Sequence, residues 1–197
     1  MRDVVVLGHE TPLTPDFPLD DLPGGAGRLD VLARCVASGL LLSHDVRDDA
    51  AVHLVLRDEL TVRFDGATVR HLNPDERSTA ALIRQALEAS DEAVGALEAE
   101  ASPGVHVASR GLEATLDGLD GAVVWLHEDG APAADVAPPA DPVMVLSDHR
   151  DPTEDERALL EERHDHRVSL GPRALHAGDA VAVAQNWCDT DGFARYD

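Results

Sequence analysis

Two loops concentrate the residues that could do chemistry. Ser147-Asp148-His149-Arg150-Asp151-Pro152 follows the apolar run Val143-Met144-Val145-Leu146, and Ser169-Leu170-Gly171-Pro172-Arg173-Ala174-Leu175-His176-Ala177 closes a second strand-like segment. Polar, Gly and Pro residues placed there suit a ligand site, because open α/β sheets bind ligands beyond the carboxyl ends of their strands. A third such position follows Leu126. None of these loops contains a GxGxxG or a phosphate-cradling Lys, which argues against a dinucleotide site and a P-loop. The Gly171-Pro172 pair instead predicts a rigid turn that offers backbone groups to a flat ligand.

Other chemistries have weaker signatures. In His164-Asp165-His166 two ligands two residues apart share a strand face, but no third ligand follows at suitable spacing, so solvated histidines are the better reading and no metal is expected. Cys35 and Cys188 are the two thiols, each inside a helical pattern, so neither a disulfide framework nor a zinc site follows. Cys188 beside Trp187 reads as packing, and no serine or cysteine nucleophile has a local histidine signature.

The elements that must position these loops can be read from periodicity. Strands are predicted over residues 3–7, 51–56, 60–64, 67–70, 105–109, 122–126, 143–146 and 167–170. Asp65-Gly66 reads as the turn of a hairpin joining 60–64 to 67–70. Helices are predicted over 28–42, from Asn73-Pro74 to about Ala89, and over 112–119, 153–163 and 176–187. Asn73 is read as an N-cap with Pro74 at the first helical position. Pro12, Pro15, Pro18 and Pro23 mark a long irregular loop before the first helix, 90–101 reads as a poorly anchored helix or loop, and 131–142 as a Pro- and Ala-rich connection. Alternating strands and helices predict one α/β domain over residues 1–197 with a mainly parallel sheet. Hydrophobic residues are 44% but aromatic ones only 3%, so Val, Leu and Ala must build the core.

Charge sets the working environment. There are 38 acidic against 16 basic residues, no Lys at all, and Asp outnumbers Glu about two to one. A net charge of −22 would strain a fold by self-repulsion in dilute salt, but the Debye length shrinks to about 3 Å in molar salt. This is the composition of a halophile's protein. It does not exclude RNA as a partner, because in high salt recognition leans on Arg forks, shape and stacking more than on a basic face. No apolar run is long enough to span a membrane, and Met1-Arg2-Asp3-Val4-Val5-Val6 starts as a strand, so a cytoplasmic protein is expected.

A family resemblance joins these observations. Asp21-Leu22-Pro23-Gly24-Gly25-Ala26-Gly27-Arg28-Leu29-Asp30, then Arg34-Cys35-Val36, then Leu42-Ser43-His44-Asp45-Val46-Arg47 resemble the N-terminal signature of the archaeal tRNA pseudouridine-54 N1-methyltransferase (TrmY) family. Pro74-Asp75-Glu76-Arg77, Ser147-Asp148-His149, Glu154-Asp155-Glu156-Arg157 and Ser169-Leu170-Gly171-Pro172 through His176-Ala177 match it in the same order. The blocks span nearly the whole chain.

The resemblance implies a SPOUT fold with a C-terminal deep trefoil knot, a homodimer, tRNA as partner and S-adenosyl-L-methionine as cofactor. Carried over residue by residue, it implies cofactor contacts from Leu126, Ser147, Leu170, Gly171, Pro172, Arg173, Ala174, Leu175 and Ala180. Ser147 stands where family members commonly have Gly, and Ala180 where Cys can occur. Asp21 and Asp30 are the candidate base or orienter for pseudouridine N1, Arg28 a positioner of phosphate or base, and His44 an outside candidate; Arg34 and Arg47 could contact phosphate. The plain alternatives are a loop cap for Asp21 and a favourable first-turn helix charge for Asp30. Two further readings stand beside this one: a related enzyme acting on pseudouridine in small-subunit ribosomal RNA, and a cofactor- or RNA-binding protein without catalysis.

Overall fold

The computed structural model describes residues 1–93 and 97–196. Among them eight strands form one sheet in the order β4-β5-β3-β2-β1-β7-β6-β8. The strands are β1 (Arg2–Gly8), β2 (Ala50–Leu56), β3 (Leu60–Asp65), β4 (Ala99–Ser102), β5 (Val105–Ala108), β6 (Ala122–Pro132), β7 (Pro142–Ser147) and β8 (His166–Ser169). The helices are α1 (Leu22–Gly25), α2 (Leu29–Leu40), α3 (Glu76–Glu88), α4 (Leu112–Asp117), α5 (Glu154–Arg163) and α6 (Ala177–Asp189).

The sheet is mixed. β2, β1, β7, β6 and β8 run parallel, whereas β3, β5 and β4 add an antiparallel wing beyond β2. Strand β1 is central and buried on both faces, as its unbroken Val4-Val5-Val6-Leu7 run requires. Val4 and Val6 face a core closed by Leu32, Val36 and Leu40 of α2, Ile83 of α3 and Trp187 of α6. Val5 and Leu7 face a smaller cluster closed by Leu112 and Leu116 of α4 and Leu160 of α5. Each fully buried Val or Leu contributes about 1.5–3 kcal/mol, so aliphatic residues supply most of the core, with Phe64, Trp125 and Trp187 as its few large, fully buried rings.

Helix α2 starts from an abrupt turn. Gly27 and Arg28 both adopt left-handed backbone, with φ of 55° and 62°. A Cβ on Gly27 would stand 1.8 Å from the Glu10 carbonyl oxygen, so only glycine allows this crossing. The helix ends where Leu41 turns extended, at φ −82° and ψ 131°.

Several local expectations give way. The hairpin at β3 turns not on Asp65-Gly66 but on Arg57-Asp58, with φ of 50° and 56°, joining β2 to β3. Residues 67–70 form no strand: the Val69 N–H folds back onto the Asp65 carbonyl at 2.8 Å, and β5 takes the open edge of β3. Helix α3 is capped by Asp75, whose side chain accepts from the Ser78 N–H at 2.8 Å, while Asn73 instead donates to the His71 carbonyl and Ser78 Oγ. A short carboxylate nearer the helix wins the cap. The irregular loop contains one helical turn, α1, with Pro23 in its first turn. Part of the segment 90–101, residues 94–96, lies outside the described residues; on either side stand a 3-10 turn, Ser90–Glu92, and β4. Strand β6 runs on through the first two residues of the connection expected over 131–142, and a 3-10 turn, Ala133–Asp135, follows it.

The chain end is held firmly. Trp187 is fully buried in α6, and its Nε1–H donates to the carbonyls of Ala133 at 2.9 Å and Val136 at 3.1 Å in the connection between β6 and β7. No helix among the described residues is long and apolar enough to cross a membrane.

Candidate functional site

The parallel strands β7, β6 and β8 deliver their carboxyl ends to one rim, and there a cleft of about 830 Å³ opens between them, α2 and the start of α6. Its walls are the segment 125–128, the loop 146–152, the turn 168–171 and residues 173–180, with Arg28, Val31, Arg34, Ala37 and Ser38 from the α2 side.

A discontinuity in β6 shapes one wall. Leu126 and Ala131 both oppose Val168 of β8, so residues 127–130 loop out between two stretches of pairing, and His127 and Glu128 reach the cleft. Gly130 makes the excursion possible, since a Cβ there would meet the Val168 backbone at 2.6 Å. Behind this wall the Arg167 guanidinium lies 4.2 Å from the centroid of the Trp125 ring.

The lining alternates short aliphatic residues such as Leu126, Leu146, Val168 and Ala177 with charged and polar ones such as Arg28, Arg34, Asp148 and Arg173. One side-chain atom is conspicuous: Ser147 Oγ is buried and makes no hydrogen bond with another protein group. A buried unsatisfied hydroxyl costs about 1–3 kcal/mol, so a ligand hydrogen bond there would be well used. The first turn of α6 has no side-chain cap for its N–H groups, and its residues from Ala177 to Ala180 line the cleft.

The candidate residues fall into distinct places. Leu126, Ser147, Leu170, Gly171, Arg173, Ala174, Leu175 and Ala180 line the cleft together; Pro172 lies in the same turn but not in the lining. Arg28 and Arg34 also line it, and the buried Asp30 sits behind them. Asp30 accepts from Arg28 Nε at 3.0 Å and Nη2 at 3.2 Å, and from Arg34 Nη2 at 2.6 Å. Burial alone would raise the Asp30 carboxyl, but the hydrogen bonds and charge of Arg28, with Arg34 beyond, hold it below its usual value. Arg34 also reaches Glu76 of α3 at 3.0 Å. Asp21 is exposed outside the lining, where its side chain accepts from the Gly24 N–H at 3.0 Å and caps α1. His44 is likewise exposed and away from the cleft, and Arg47 grips Asp189 of α6 at 2.9 and 2.5 Å.

Neither thiol is poised to react. Burial pushes Cys35 up to about 12 and Cys188 up to about 11. His164 Nδ1 lies 2.7 Å from the Leu160 carbonyl. Among the described residues no group of three or more His, Cys, Asp or Glu is arranged to hold a metal ion.

Sequence reasoning missed one constellation beside the cleft. His9, one residue past β1, lies between Asp148 and Glu156 with 2.9 Å on each side. Its partners come from distant positions, and the one legible signal was Thr153-x-x-Glu156, a capping box that the structure forms at the start of α5.

Comparison with known proteins places this geometry. A family model for SAM-dependent RNA methyltransferases matches residues 1–193, and the chain belongs to that family. It is similar over its full length to proteins named tRNA (pseudouridine(54)-N(1))-methyltransferase from Haloarcula marismortui, at 60% identity, and Haloferax volcanii, at 58%, with each relative covered completely. A protein of the same name from Methanocella arvoryzae is 46% identical over 97% of this chain and 99% of its own. Among solved structures, Archaeoglobus fulgidus Nep1 bound to S-adenosylhomocysteine aligns with a TM-score of 0.65 over 95% of this chain and 97% of that one. At 16% identity this shows a shared fold, an α/β arrangement with a mixed, mostly parallel sheet.

Proposed function

We propose that this chain transfers the methyl group of S-adenosylmethionine to N1 of pseudouridine 54 in the T-arm of tRNA. The observation that carries the reading is the cleft itself. The carboxyl ends of β7, β6 and β8 and the start of α6 enclose it, the unpartnered Ser147 Oγ and the pair Arg28 and Arg34 all line it, and the chain belongs to a family of SAM-dependent RNA methyltransferases. When bound, the cofactor supplies a methyl group already activated by its sulfonium. The loop 147–152, the turn 168–175 and the first turn of α6 would hold it, mainly through main-chain N–H and C=O groups.

The chain's own residues then have three tasks. The first is alignment of the accepting nitrogen, since proximity and orientation can supply about 7–11 kcal/mol of a barrier. Arg28 and Arg34 serve this by gripping phosphate at the mouth of the cleft, and Asp30 holds both forks rigid instead of taking a proton. The second is removal of the N1 proton; of the two candidates Asp30 is committed to arginine and Asp21 caps α1 outside the cleft, so the structure assigns this task to neither. The third is exclusion of water, to which the aliphatic lining contributes. The target base must leave its stack to enter, as bases do in other enzymes that act on them.

The finer architecture belongs to the same proposal. The chain passes from β8 at the sheet edge back to α6 on α2, and Trp187 seats α6 against the β6–β7 connection. A C-terminus drawn through that connection as a trefoil knot would produce this seating, and an experimental structure traced end to end tests it. A homodimer in the cytoplasm completes the reading; light scattering in molar KCl measures the assembly.

The deciding experiment incubates the protein in molar KCl with methyl-labelled cofactor and two tRNA transcripts, one with uridine and one with pseudouridine at position 54. Label should enter only the second. Equal labelling of both, or none, overturns the reading. Label in small-subunit ribosomal RNA alone would assign the chain to that substrate, and cofactor binding without transfer to any RNA would make it a binding protein.

A further inference from the structure

The imidazole of His9 bridges two carboxylates that belong to different elements. Nδ1 lies 2.9 Å from Asp148 Oδ1, Nε2 lies 2.9 Å from Glu156 Oε2, and the His9 backbone N–H donates to Asp148 Oδ2 at 3.0 Å. Ionised carboxylates only accept, so a ring bonded to one on each side donates from both nitrogens and is an imidazolium. The three side chains are 11%, 0% and 9% exposed, and charge-assisted bonds at such depth are strong.

The same carboxylates organise the loop between them. Asp148 Oδ1 accepts the Arg150 backbone N–H at 2.9 Å, and Glu156 Oε2 accepts the Thr153 backbone N–H at 2.7 Å. The Asp148 N–H donates to the Leu7 carbonyl at 3.0 Å, tying the loop to the end of β1. This loop forms one wall of the cleft, from Ser147 to Pro152. Other charges face the cluster: His149 stands 3.4 Å from Asp148 and 3.3 Å from Glu10, Arg150 pairs with Glu10, and the charge of Arg28 is felt at Asp148 from across the cleft. The His9 ring itself is bonded to Asp148 and Glu156.

We propose that His9 is a positioning residue for the methyl donor: through Asp148 its imidazolium holds the loop 147–152 in the shape that the donor requires. The inference rests on the cleft being the S-adenosylmethionine site. Without the proton on His9, two buried carboxylates would face a neutral ring that can donate to only one of them, and the wall would loosen where the unpartnered Ser147 hydroxyl meets the ligand. The hydrogen bond that the ring donates to Asp148, and then that to Glu156, raise the imidazole to about 10, so the ring stays charged at any ordinary pH.

The two arms of the clamp can be separated. An asparagine amide nitrogen reaches the place of Nδ1 and a glutamine amide nitrogen that of Nε2, so His9→Asn keeps the Asp148 arm and His9→Gln keeps the Glu156 arm. Calorimetry with S-adenosylmethionine in molar KCl should show His9→Gln binding about tenfold or more weakly, while His9→Asn recovers most of the native affinity. At saturating donor and tRNA, kcat should change far less than KM for the donor. Native affinity should also decline as pH rises through about 10, a decline absent from His9→Gln. Equal affinities in all three proteins, equal losses in both variants, or a flat native pH curve would overturn the proposal. If the variants do not fold, the native titration decides alone. A native protein that binds no donor at all would instead overturn the assignment of the cleft, and this inference with it.

Discussion

The Asp30 carboxylate lies behind two arginines and meets Arg28 through a fork of 3.0 and 3.2 Å. Arg28 takes this position from left-handed backbone at φ 62°, a conformation that costs a non-glycine residue about 1 kcal/mol or more. The strain is offset by an oriented guanidinium. Arg28→Lys keeps the charge but not the fork, and should lower kcat/KM for tRNA by about 10- to 100-fold, or about 1.4–2.7 kcal/mol, with little change in donor affinity. Asp30→Asn should give a similar loss and also lower the melting temperature, because both guanidiniums lose a buried counter-charge.

The triad around His9 sets the pH dependence of stability. His9 is raised in the folded protein, so its contribution is complete below its ordinary value of 6.5 and disappears as pH climbs through about 10. Burial would raise Asp148 and Glu156, but their bonds with His9 and the backbone prevail and lower both, so their contribution is present above the usual carboxylate range and lost in acid. Melting temperature at fixed KCl should therefore be highest between about pH 5 and 6.5, then fall toward pH 10. In His9→Asn the alkaline slope should be markedly shallower.

Ser147 Oγ tests the donor site most directly. Its lack of a protein partner means that Ser147→Ala removes no internal hydrogen bond, so stability should be unchanged or rise slightly. Donor affinity should fall by about 2- to 10-fold, the worth of one hydrogen bond of about 0.5–1.5 kcal/mol. Unchanged binding in calorimetry would remove Ser147 from the site.

Trp187→Phe removes one ring of the buried indole and with it the N–H shared by the Ala133 and Val136 carbonyls. The expected cost is about 1–3 kcal/mol, or a fall in melting temperature of roughly 2–12 °C for a domain of this size.

Salt should govern all of these measurements. With 38 acidic and 16 basic residues, even complete pairing leaves many carboxylates without a cation. Dialysis from about 2 M to about 0.1 M KCl lengthens the Debye distance from about 2–3 Å to about 10 Å, and thermal scans should show a loss of more than about 10 °C.

Much of the scaffold was legible because buried parallel strands announce themselves: Val4-Val5-Val6-Leu7 and Val143-Met144-Val145-Leu146 cannot lie on a surface. The cleft followed from the rule that such strands present ligands at their carboxyl ends. The antiparallel wing was less legible, since Arg57-Asp58 turns the β2–β3 hairpin with residues that seldom take left-handed backbone, while the more suggestive Asp65-Gly66 only closes a local turn. His9 could not be found from local pattern. It lies 139 residues before Asp148 and 147 before Glu156, and only the parallel pairing of β1 with β7 brings that end of the chain to the loop. Asp30 was visible as a residue but not as a role, because its two arginines approach from the preceding turn and from the next turn of its own helix.

The two tryptophans divide the molecule between them in a way that optical work can exploit. Trp125 forms part of the cleft under the Arg167 guanidinium, and Trp187 is sealed beneath the β6–β7 connection. Fluorescence from a Trp187→Phe protein would thus report ligand arrival through Trp125 alone, and quenching in a Trp125→Phe protein would time the docking of the final helix during refolding.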